Sequence, residues 1–410
     1  MSIVHDVHPT ESASAAGLPY GFRDDLTSDL IERARSVQPL LASKAAEHEE
    51  TNGLSHEVVE RLTELELFAL AGPQRIGGLA QSSQTMAKVA AELAKGCPST
   101  AWVYTIYNSC LWLASKLPKH IQDQVFADGL PRICSPQNGM GQLVADADGY
   151  RLSGRWNYAT GSHHSQWTLI PAMSPDQQPA LVALPMTAVE LEYTWHVAGM
   201  KGTGSDTVVA SDVKVDTDKV ALFSDILVAP PATIDVEDRE ASDFWPNYPI
   251  LRAKALGVLV GCAEGILDII VSRSEGPIIY SIYAHKSDSA AYHASIGEAA
   301  TQVQAARRIV EGSCERIDAA AREGRLLTTD ERIETRGEGA LAIQLLQSAV
   351  NRLMDLGGSS GFSTSANAQR FWRDYNIASR HVIFNSQISF EQVGRRVLGI
   401  EDGVVPPDMI

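Results

Sequence analysis

A glycine-rich break between two helical patterns contains the residues best placed for chemistry. Gly357, Gly358 and Ser359 follow an amphipathic pattern that ends at Leu356, and glycine accepts the left-handed backbone that often ends a helix. Adjacent glycines also let a ligand come close to backbone N–H groups, as a phosphate or a ring carbonyl requires. A plain turn is the commoner role of paired glycines, so the stretch is compatible with both a helix end and a ligand loop.

His381 follows this break on a predicted charged helix that begins near Ser365. Asp374 lies seven residues before His381, and side chains two turns apart share one helix face. This spacing predicts that the histidine points into the protein. Because histidine titrates near neutral pH, it could transfer protons there; a hydrogen-bonded core histidine is the alternative.

An aromatic-rich helix predicted at residues 98–117 offers two further candidates. Tyr104 belongs to its aromatic stripe, and such a stripe more often packs in a core than lines a pocket. Asn108 is a polar residue within the same stripe, so it is a candidate for facing a ligand. We therefore expect a substrate pocket between this helix, a strand near Ser135 and the helix of His381.

Composition and charge argue against several classes of protein. The 410 residues are 44% hydrophobic and carry a formal net charge of −16, which predicts two or three globular domains without binding to nucleic acid or to anionic membranes. The five cysteines are odd in number and lack CxxC spacing, so we expect reduced thiols in a cytoplasmic protein and no metal site. We expect no membrane span, since long apolar stretches are missing.

Changes in the pattern of apolar and polar residues along the chain predict an α+β protein that is mostly α-helical. Residues 1–22 are polar and small, which predicts a flexible N-terminus. Helical periodicity predicts an N-terminal helical domain at residues 23–130, and short alternating segments predict a β-barrel or sandwich at residues 131–240. Long helices at residues 241–398 predict a four-helix bundle, followed by a tail at residues 399–410.

Several motifs accompany this order of domains. They are IGG at residues 76–78, CPSTAW at 97–102, GRWNYATG at 154–161, Trp195 with GMKGTGS at 199–205, and the pair at 357–358 followed by Arg370, Arg373, Asp374 and His381. In this order the chain resembles the acyl-CoA dehydrogenase superfamily, and more closely its flavin-dependent monooxygenase branch, the oxygenase components of two-component hydroxylases. The resemblance covers most of the chain and implies an acyl-CoA dehydrogenase-like fold.

The resemblance implies a catalytic role for His381. Dehydrogenases of the superfamily place a glutamate shortly after the Arg-Asp pair, but the matching stretch from His381 to Ser386 has no carboxylate, and a base must reach the proton that it removes. In the monooxygenase branch a histidine occupies this region, so His381 is expected near the flavin carbon to which oxygen adds. Thr160 is expected near flavin N5 as a second catalytic group, with Trp156 beside the isoalloxazine ring.

The same resemblance implies further contacts. Ser135 is expected to face the cavity as a catalytic and substrate-binding residue, with Asn108 and Tyr104 also on the substrate side. The cofactor is expected to be FMN in its reduced form, FMNH2, with FAD as the alternative, and its phosphate is expected to bind Arg273. The remaining expected cofactor contacts are Gly357, Gly358, Ser359 and Arg370.

The implied function is that of an oxygenase component that takes reduced FMN from a separate flavin reductase and hydroxylates an aromatic or heteroaromatic small molecule through a C4a-hydroperoxyflavin. A homotetramer is expected, because the glycine loop of the superfamily touches a flavin of a neighbouring subunit. The alternatives are an N-oxygenase acting on an amine or amino sugar, an acyl-CoA dehydrogenase-like flavin dehydrogenase, and a helical scaffold without activity. No GxGxxG fingerprint follows a predicted strand, so we expect that NADH alone does not drive turnover.

Overall fold

Six helices form the N-terminal part of the computed structural model, which describes residues 21–401, 403–406 and 410. They are α1 (Thr27–Ser36), α2 (Gln38–Thr51), α3 (His56–Glu64), α4 (Ser83–Gly96), α5 (Pro98–Ala114) and α6 (Lys119–Val125). Ser55 caps α3: its side-chain oxygen accepts a hydrogen bond from the backbone N–H of Val58, a donor that the helix itself leaves free. Of the flexible segment expected at residues 1–22, residues 1–20 lie outside the described part of the chain.

Eight strands form one mixed sheet in the middle of the chain. They are β1 (Ile133–Cys134), β2 (Gly141–Asp146), β3 (Gly149–Ala159), β4 (Trp167–Met173), β5 (Pro179–Pro185), β6 (Glu190–Glu192), β7 (Asp206–Val215) and β8 (Val220–Leu222). The hydrogen-bonded order is β6-β7-β3-β2-β4-β5-β8, and β1 adds to β4. The β1–β4 and β2–β4 pairs are parallel and the others are antiparallel. The central domain is therefore a single mixed sheet. The alternating segments of the sequence predict a barrel or a sandwich instead.

Long helices return after the sheet. A short helix, α7 (Phe223–Ile226), leads into α8 (Asn247–Val271), α9 (Ala290–Arg322), α10 (Thr329–Gly357), α11 (Asn367–Ala378) and α12 (Ser386–Val397). The last part of the predicted four-helix bundle, residues 367–397, is therefore two helices and not one. Asn385 caps α12, because its side-chain oxygen accepts from the backbone N–H of Ile388 at 3.1 Å, and such local bonds compete with a continuous helix. Within the described residues, no helix is long and apolar enough to cross a membrane.

α8 lies at the centre of the helical part and packs closely on α4. A Cβ added at Gly257 would lie 2.3 Å from the carbonyl oxygen of Ala87, and one at Gly261 would lie 2.0 Å from that of Ala91. Glycine at both positions therefore lets the two backbones approach each other. Buried residues of the N-terminal helices and of the C-terminal helices form one continuous core. The two helical domains share this interior, and their boundaries stay a prediction.

Candidate active site

The segment from Trp195 to Ser205 joins the three parts of the fold, and we call it the connecting loop. Within it, the backbone N–H of Met200 donates to Asp374 Oδ1 of α11 at 2.5 Å. The Ser99 hydroxyl, at the start of α5, lies 4.0 Å from Met200 Sδ. Strand β7 follows the loop directly. The connecting loop therefore positions strand β7 relative to α5 and α11.

A chain of three hydroxyl groups runs from the end of β3 into the connecting loop. Thr160 Oγ1 lies 2.7 Å from Ser205 Oγ, and Ser205 Oγ lies 2.7 Å from Thr203 Oγ1. Thr203 Oγ1 donates to the carbonyl oxygen of Met200 at 2.9 Å. All three hydroxyl-bearing residues are buried. The Thr160 hydroxyl that the sequence singles out is thus part of a hydrogen-bonded chain that ends on a backbone acceptor.

Tyr158 is the aromatic residue of β3 that faces outward beside Thr160. A register shift between Trp156 and Ala159 interrupts the pairing of β3 with β7, and Tyr158 has a φ of 66°, so the alternation of inward and outward side chains changes here. Tyr158 is 57% exposed. Its ring packs edge-on against that of Trp195, with centroids 5.8 Å apart.

Trp156, in contrast, is part of the core of the sheet. Its side chain is fully buried, and its indole N–H donates to the carbonyl oxygen of Pro171 at 2.8 Å. The indole also fills the space above two glycines: a Cβ added at Gly141 or Gly154 would lie 2.5 or 2.6 Å from its ring atoms. The ring has no exposed face against which a cofactor could pack, so the structure does not support the predicted contact between Trp156 and the flavin.

Asn108 and Tyr104 are core residues as well. The Asn108 side chain is fully buried; its Oδ1 accepts from the backbone N–H of Ala71, and its Nδ2 donates to the carbonyl oxygens of Leu67 and Tyr104. The Tyr104 hydroxyl donates to the Met86 carbonyl at 3.3 Å. Buried polar groups are normally satisfied in this way. The Asn108 side chain bonds the turn after α3 and its own helix, and the Tyr104 hydroxyl bonds α4, so the structure does not support the two predicted substrate contacts.

His381 lies just beyond the end of α11, whereas the sequence predicts it on the inner face of that helix. Its ring centroid is 5.4 Å from that of Trp102 and 6.5 Å from that of Phe384. Its Nδ1 accepts from the backbone N–H of Ile383 at 3.4 Å, so the neutral ring carries its proton on Nε2. The side chain is partly open to solvent, while burial of its packed side lowers its pKa. At neutral pH His381 is therefore an uncharged imidazole with a donor at Nε2.

Asp374 anchors the connecting loop on α11. Burial raises the pKa of Asp374 to about 7, although the hydrogen bond from the Met200 N–H favours the charged form. Gly199 completes the contact, since an added Cβ would lie 2.5 Å from the backbone carbonyl of Arg373. The connecting loop and α11 are in direct backbone contact. The position of α11 therefore determines the position of the Met200 carbonyl, at which the hydroxyl chain ends.

Two arginines of α11 pair with Glu49 of α2. Arg370 Nε donates to Glu49 Oε2 at 3.2 Å, and Arg373 Nη1 donates to the other oxygen of the same carboxylate. Burial acts to raise the pKa of Glu49, but the hydrogen bonds from Arg373 and Arg370 hold it below its usual value. Because Arg370 is buried and its charge is matched inside the fold, the geometry does not support its predicted contact with a cofactor.

The other predicted site residues lie on three different elements, and their roles stay predictions. Ser135 follows β1, and its hydroxyl donates to a backbone carbonyl of β4 at 2.8 Å. Arg273 is exposed two residues after the end of α8. Gly357 ends α10, and the exposed residues Gly358 and Ser359 form the turn that follows. Gly358 has a φ of 59° with no atom within 4 Å of an added Cβ, so its backbone is open to a ligand.

Sequence reasoning missed four residues of this site. Tyr158, Trp195, Thr203 and Ser205 all lie within the motifs, but the sequence assigns no role in the site to any of them. The glycines at residues 199–204 indicate a loop with special backbone conformations. They do not show that the Ser205 hydroxyl meets Thr160, which lies 45 residues earlier in the chain.

Two groups of the described residues have side chains suited to a flat aromatic cofactor. The exposed Tyr158 ring, backed by Trp195, lies two residues from the Thr160 hydroxyl, and His381 lies against the indole of Trp102. Ring surfaces with a few directed hydrogen-bonding groups are what a flavin requires of its site. In the described part of the chain, no three His, Cys, Asp or Glu side chains are grouped to hold a metal ion, and the five cysteines are buried and unpaired.

Both helical parts of the chain match one protein family. Residues 30–135 match the family described as "Acyl-CoA dehydrogenase, N-terminal domain". Residues 255–386 match the family described as "Acyl-CoA dehydrogenase, C-terminal domain". Together the two segments cover more than half of the chain.

Similar proteins extend the match to the whole fold. The chain is 28% identical over 386 residues to the "FADH(2)-dependent resorcinol hydroxylase, oxygenase component" of Rhizobium sp. (strain MTP-10005), covering 91% of this chain and 94% of the relative. It is 26% identical over 384 residues to the "Flavin-dependent monooxygenase, oxygenase subunit HsaA" of Mycobacterium tuberculosis, covering 90% and 95%. The structure of XiaF from Streptomyces sp. in complex with FADH2 and glycerol is similar, with a TM-score of 0.85 at 29% identity, covering 93% of this chain and 98% of that one. The chain therefore belongs to the acyl-CoA dehydrogenase superfamily and, within it, to the branch of flavin-dependent monooxygenases.

Proposed function

We propose that this chain is the oxygenase component of a two-component monooxygenase that hydroxylates an aromatic or heteroaromatic small molecule. The observation that carries the proposal is His381. α11 is followed by a neutral imidazole, and residues 382–386 beyond it contain no carboxylate. A dehydrogenase needs a base within reach of the substrate proton. Asp374, the carboxylate of the same helix, is buried and bonded to Met200.

The side chains of the site have separate tasks in this reaction. Bound reduced flavin supplies the electrons that activate O2. His381 holds a proton at Nε2 and can donate a hydrogen bond from it to an oxygen on which negative charge develops. Trp102 and Phe384 pack against one side of the imidazole. Tyr158 offers its ring to the cofactor, in the role that the sequence assigns to Trp156.

We propose reduced FAD as the preferred cofactor, with reduced FMN as a substitute. The similar resorcinol hydroxylase is named as FADH2-dependent, and XiaF binds FADH2 in its solved structure. Arg273 remains the candidate for the phosphate, because it is an exposed guanidinium after α8 and arginine binds phosphate through paired N–H groups. A phenol is the first choice of substrate, since the same relative is named as a resorcinol hydroxylase.

The proposed assembly is a homotetramer whose contacts cover the loop that follows α8. Ile279 is 71% exposed and Ile282 is 94% exposed in the single chain. Clustered apolar side chains at such exposure mark an interaction site, and symmetric association with further copies would bury them. Arg273 stands at the start of this loop, so the proposed phosphate contact lies close to a subunit boundary.

The test combines the purified chain with a flavin reductase, NADH, a flavin and a panel of phenols, indoles and fused heteroaromatics. We expect a product heavier by one oxygen atom when the reductase is present. The same mixture without reductase is the control and should give no product, because the chain has no dinucleotide fingerprint. Reduction of bound flavin by an acyl-CoA in the absence of oxygen would identify a dehydrogenase and overturn the proposal.

A further inference from the structure

The Met200 carbonyl at the end of the hydroxyl chain determines which oxygen of each pair donates the hydrogen bond. Three oxygen–oxygen contacts of 2.7, 2.7 and 2.9 Å lead from Thr160 through Ser205 and Thr203 to the Met200 carbonyl. Each contact needs one proton between its two oxygens, and a carbonyl oxygen has none to give. Thr203 must therefore donate to Met200, Ser205 to Thr203, and Thr160 to Ser205. All three hydroxyl protons are used inside the protein.

The Met200 carbonyl, which accepts the last hydrogen bond of this chain, is held in place by further hydrogen bonds. The Met200 carbonyl also accepts from Trp195 Nε1 at 2.9 Å and from the Thr203 backbone N–H at 3.1 Å. The N–H of Met200 is held by Asp374. Ser205 is buried, so bulk water does not compete for its hydroxyl. The proton order is therefore a fixed property of the folded connecting loop.

Thr160 can consequently only accept a hydrogen bond from a ligand. A hydroxyl has one proton and two lone pairs, and the proton of Thr160 is committed to Ser205. Reduced flavin carries a proton on N5 and can donate it to such an acceptor. Oxidised flavin has a lone pair on N5, which an acceptor repels. The two redox forms of the same cofactor are thus distinguished by one oxygen atom.

We propose that Ser205 and Thr203 are positioning residues that make the site selective for reduced over oxidised flavin, by holding the Thr160 hydroxyl as an acceptor toward flavin N5. The inference rests on the proposed function, which places a flavin beside Thr160, and adds to it the residues that set the direction of the bond. An oxygenase that takes up reduced flavin made by another protein benefits from this selectivity, because oxidised flavin would otherwise compete for the site.

The experiment measures the dissociation constants of oxidised and reduced FAD under anaerobic conditions for the wild-type chain and for Thr203→Val. In the variant, Ser205 loses the acceptor for its proton and donates to Thr160 instead. The Thr160 proton then turns outward and can meet the lone pair of oxidised N5. The preference for reduced FAD should fall roughly five- to tenfold, the size of one hydrogen bond gained or lost, mainly through tighter binding of oxidised FAD. Ser205→Ala should lower the preference in the same direction.

Two matched variants complete the design. Thr203→Ser keeps the hydroxyl and should keep the wild-type preference. Ser162→Ala removes a buried hydroxyl that donates to the Gly204 carbonyl at 3.1 Å, outside the chain of three, and should keep it too. Equal preferences in Thr203→Val and Thr203→Ser would overturn this inference and leave the proposed function intact, as would an equal loss in Ser162→Ala. A folded wild-type chain that binds neither form of flavin would overturn both.

Discussion

At the scale of single residues, His381 is the side chain whose replacement separates chemistry from folding. Its imidazole contacts Trp102 and Phe384 but is partly open to solvent. His381→Ala should therefore change stability little, while it should slow hydroxylation by roughly 10²-fold or more, the usual effect of losing an acid–base group. Thermal unfolding and stopped-flow oxidation of the same variant measure the two effects.

His381→Asn is the matched control for this prediction. The Asn side-chain oxygen can still accept from the Ile383 N–H, as Nδ1 does in the wild type, but the amide does not titrate near neutral pH. Both variants should be equally slow, and an Asn variant at wild-type rate would show that the reaction needs no titrating group at this position. Burial lowers the pKa of His381 below its ordinary value of 6.5. The wild-type rate should thus stay constant near pH 7 and change only as the pH drops through that lowered pKa, because Nδ1 then takes up a proton and can no longer accept from the Ile383 N–H.

At the scale of elements, the contact between α4 and α8 depends on glycine. A Cβ at Gly261 would lie 2.0 Å from the Ala91 carbonyl oxygen, and backbone atoms cannot move aside as the end of a flexible side chain can. Gly261→Ala should therefore destabilise the chain by about 1–3 kcal/mol or more, as overpacking in a core does. Urea unfolding followed by circular dichroism measures the change.

Gly312→Ala on α9 is the control for that substitution. Gly312 is an exposed helix residue, and no atom lies within 4 Å of an added Cβ. Alanine should stabilise this helix by about 0.5–1 kcal/mol, because glycine loses more conformational freedom on folding. Equal urea midpoints for the two alanine variants would contradict the close approach of α4 and α8.

At the scale of the whole molecule, the exposed isoleucines after α8 predict the assembly. The wild-type chain should sediment at about four times the 44.3 kDa mass of the chain. Replacing Ile279 and Ile282 by aspartate should dissociate it, since buried unpaired charges oppose association. Val236→Asp, at another exposed apolar residue, is the control and should leave the mass unchanged. A wild-type chain that sediments at the mass of a single chain would contradict the proposed tetramer.

Much of the fold follows from information that is local in the chain. Short windows of the sequence determine the Ser55 cap, the boundaries of α5 and α10, and the change from helices to strands near residue 131. Periodicity, capping and turn residues act over a few positions, so they can be read without the tertiary structure. The family could be recognised in the same way, because its motifs are short stretches of sequence, and two family models match the chain.

Contacts between distant segments determine which side chains form the site. One register shift turns Tyr158 outward and leaves Trp156 in the core, and a change of one position reverses the faces of a strand. The break after α11 moves His381 off the helix face on which its spacing places it. Ser205 meets Thr160 only because β3 and β7 pair in the sheet. The sequence shows that these hydroxyl groups are present. Which of them donates to which depends on the Met200 carbonyl, which only the fold places beside them.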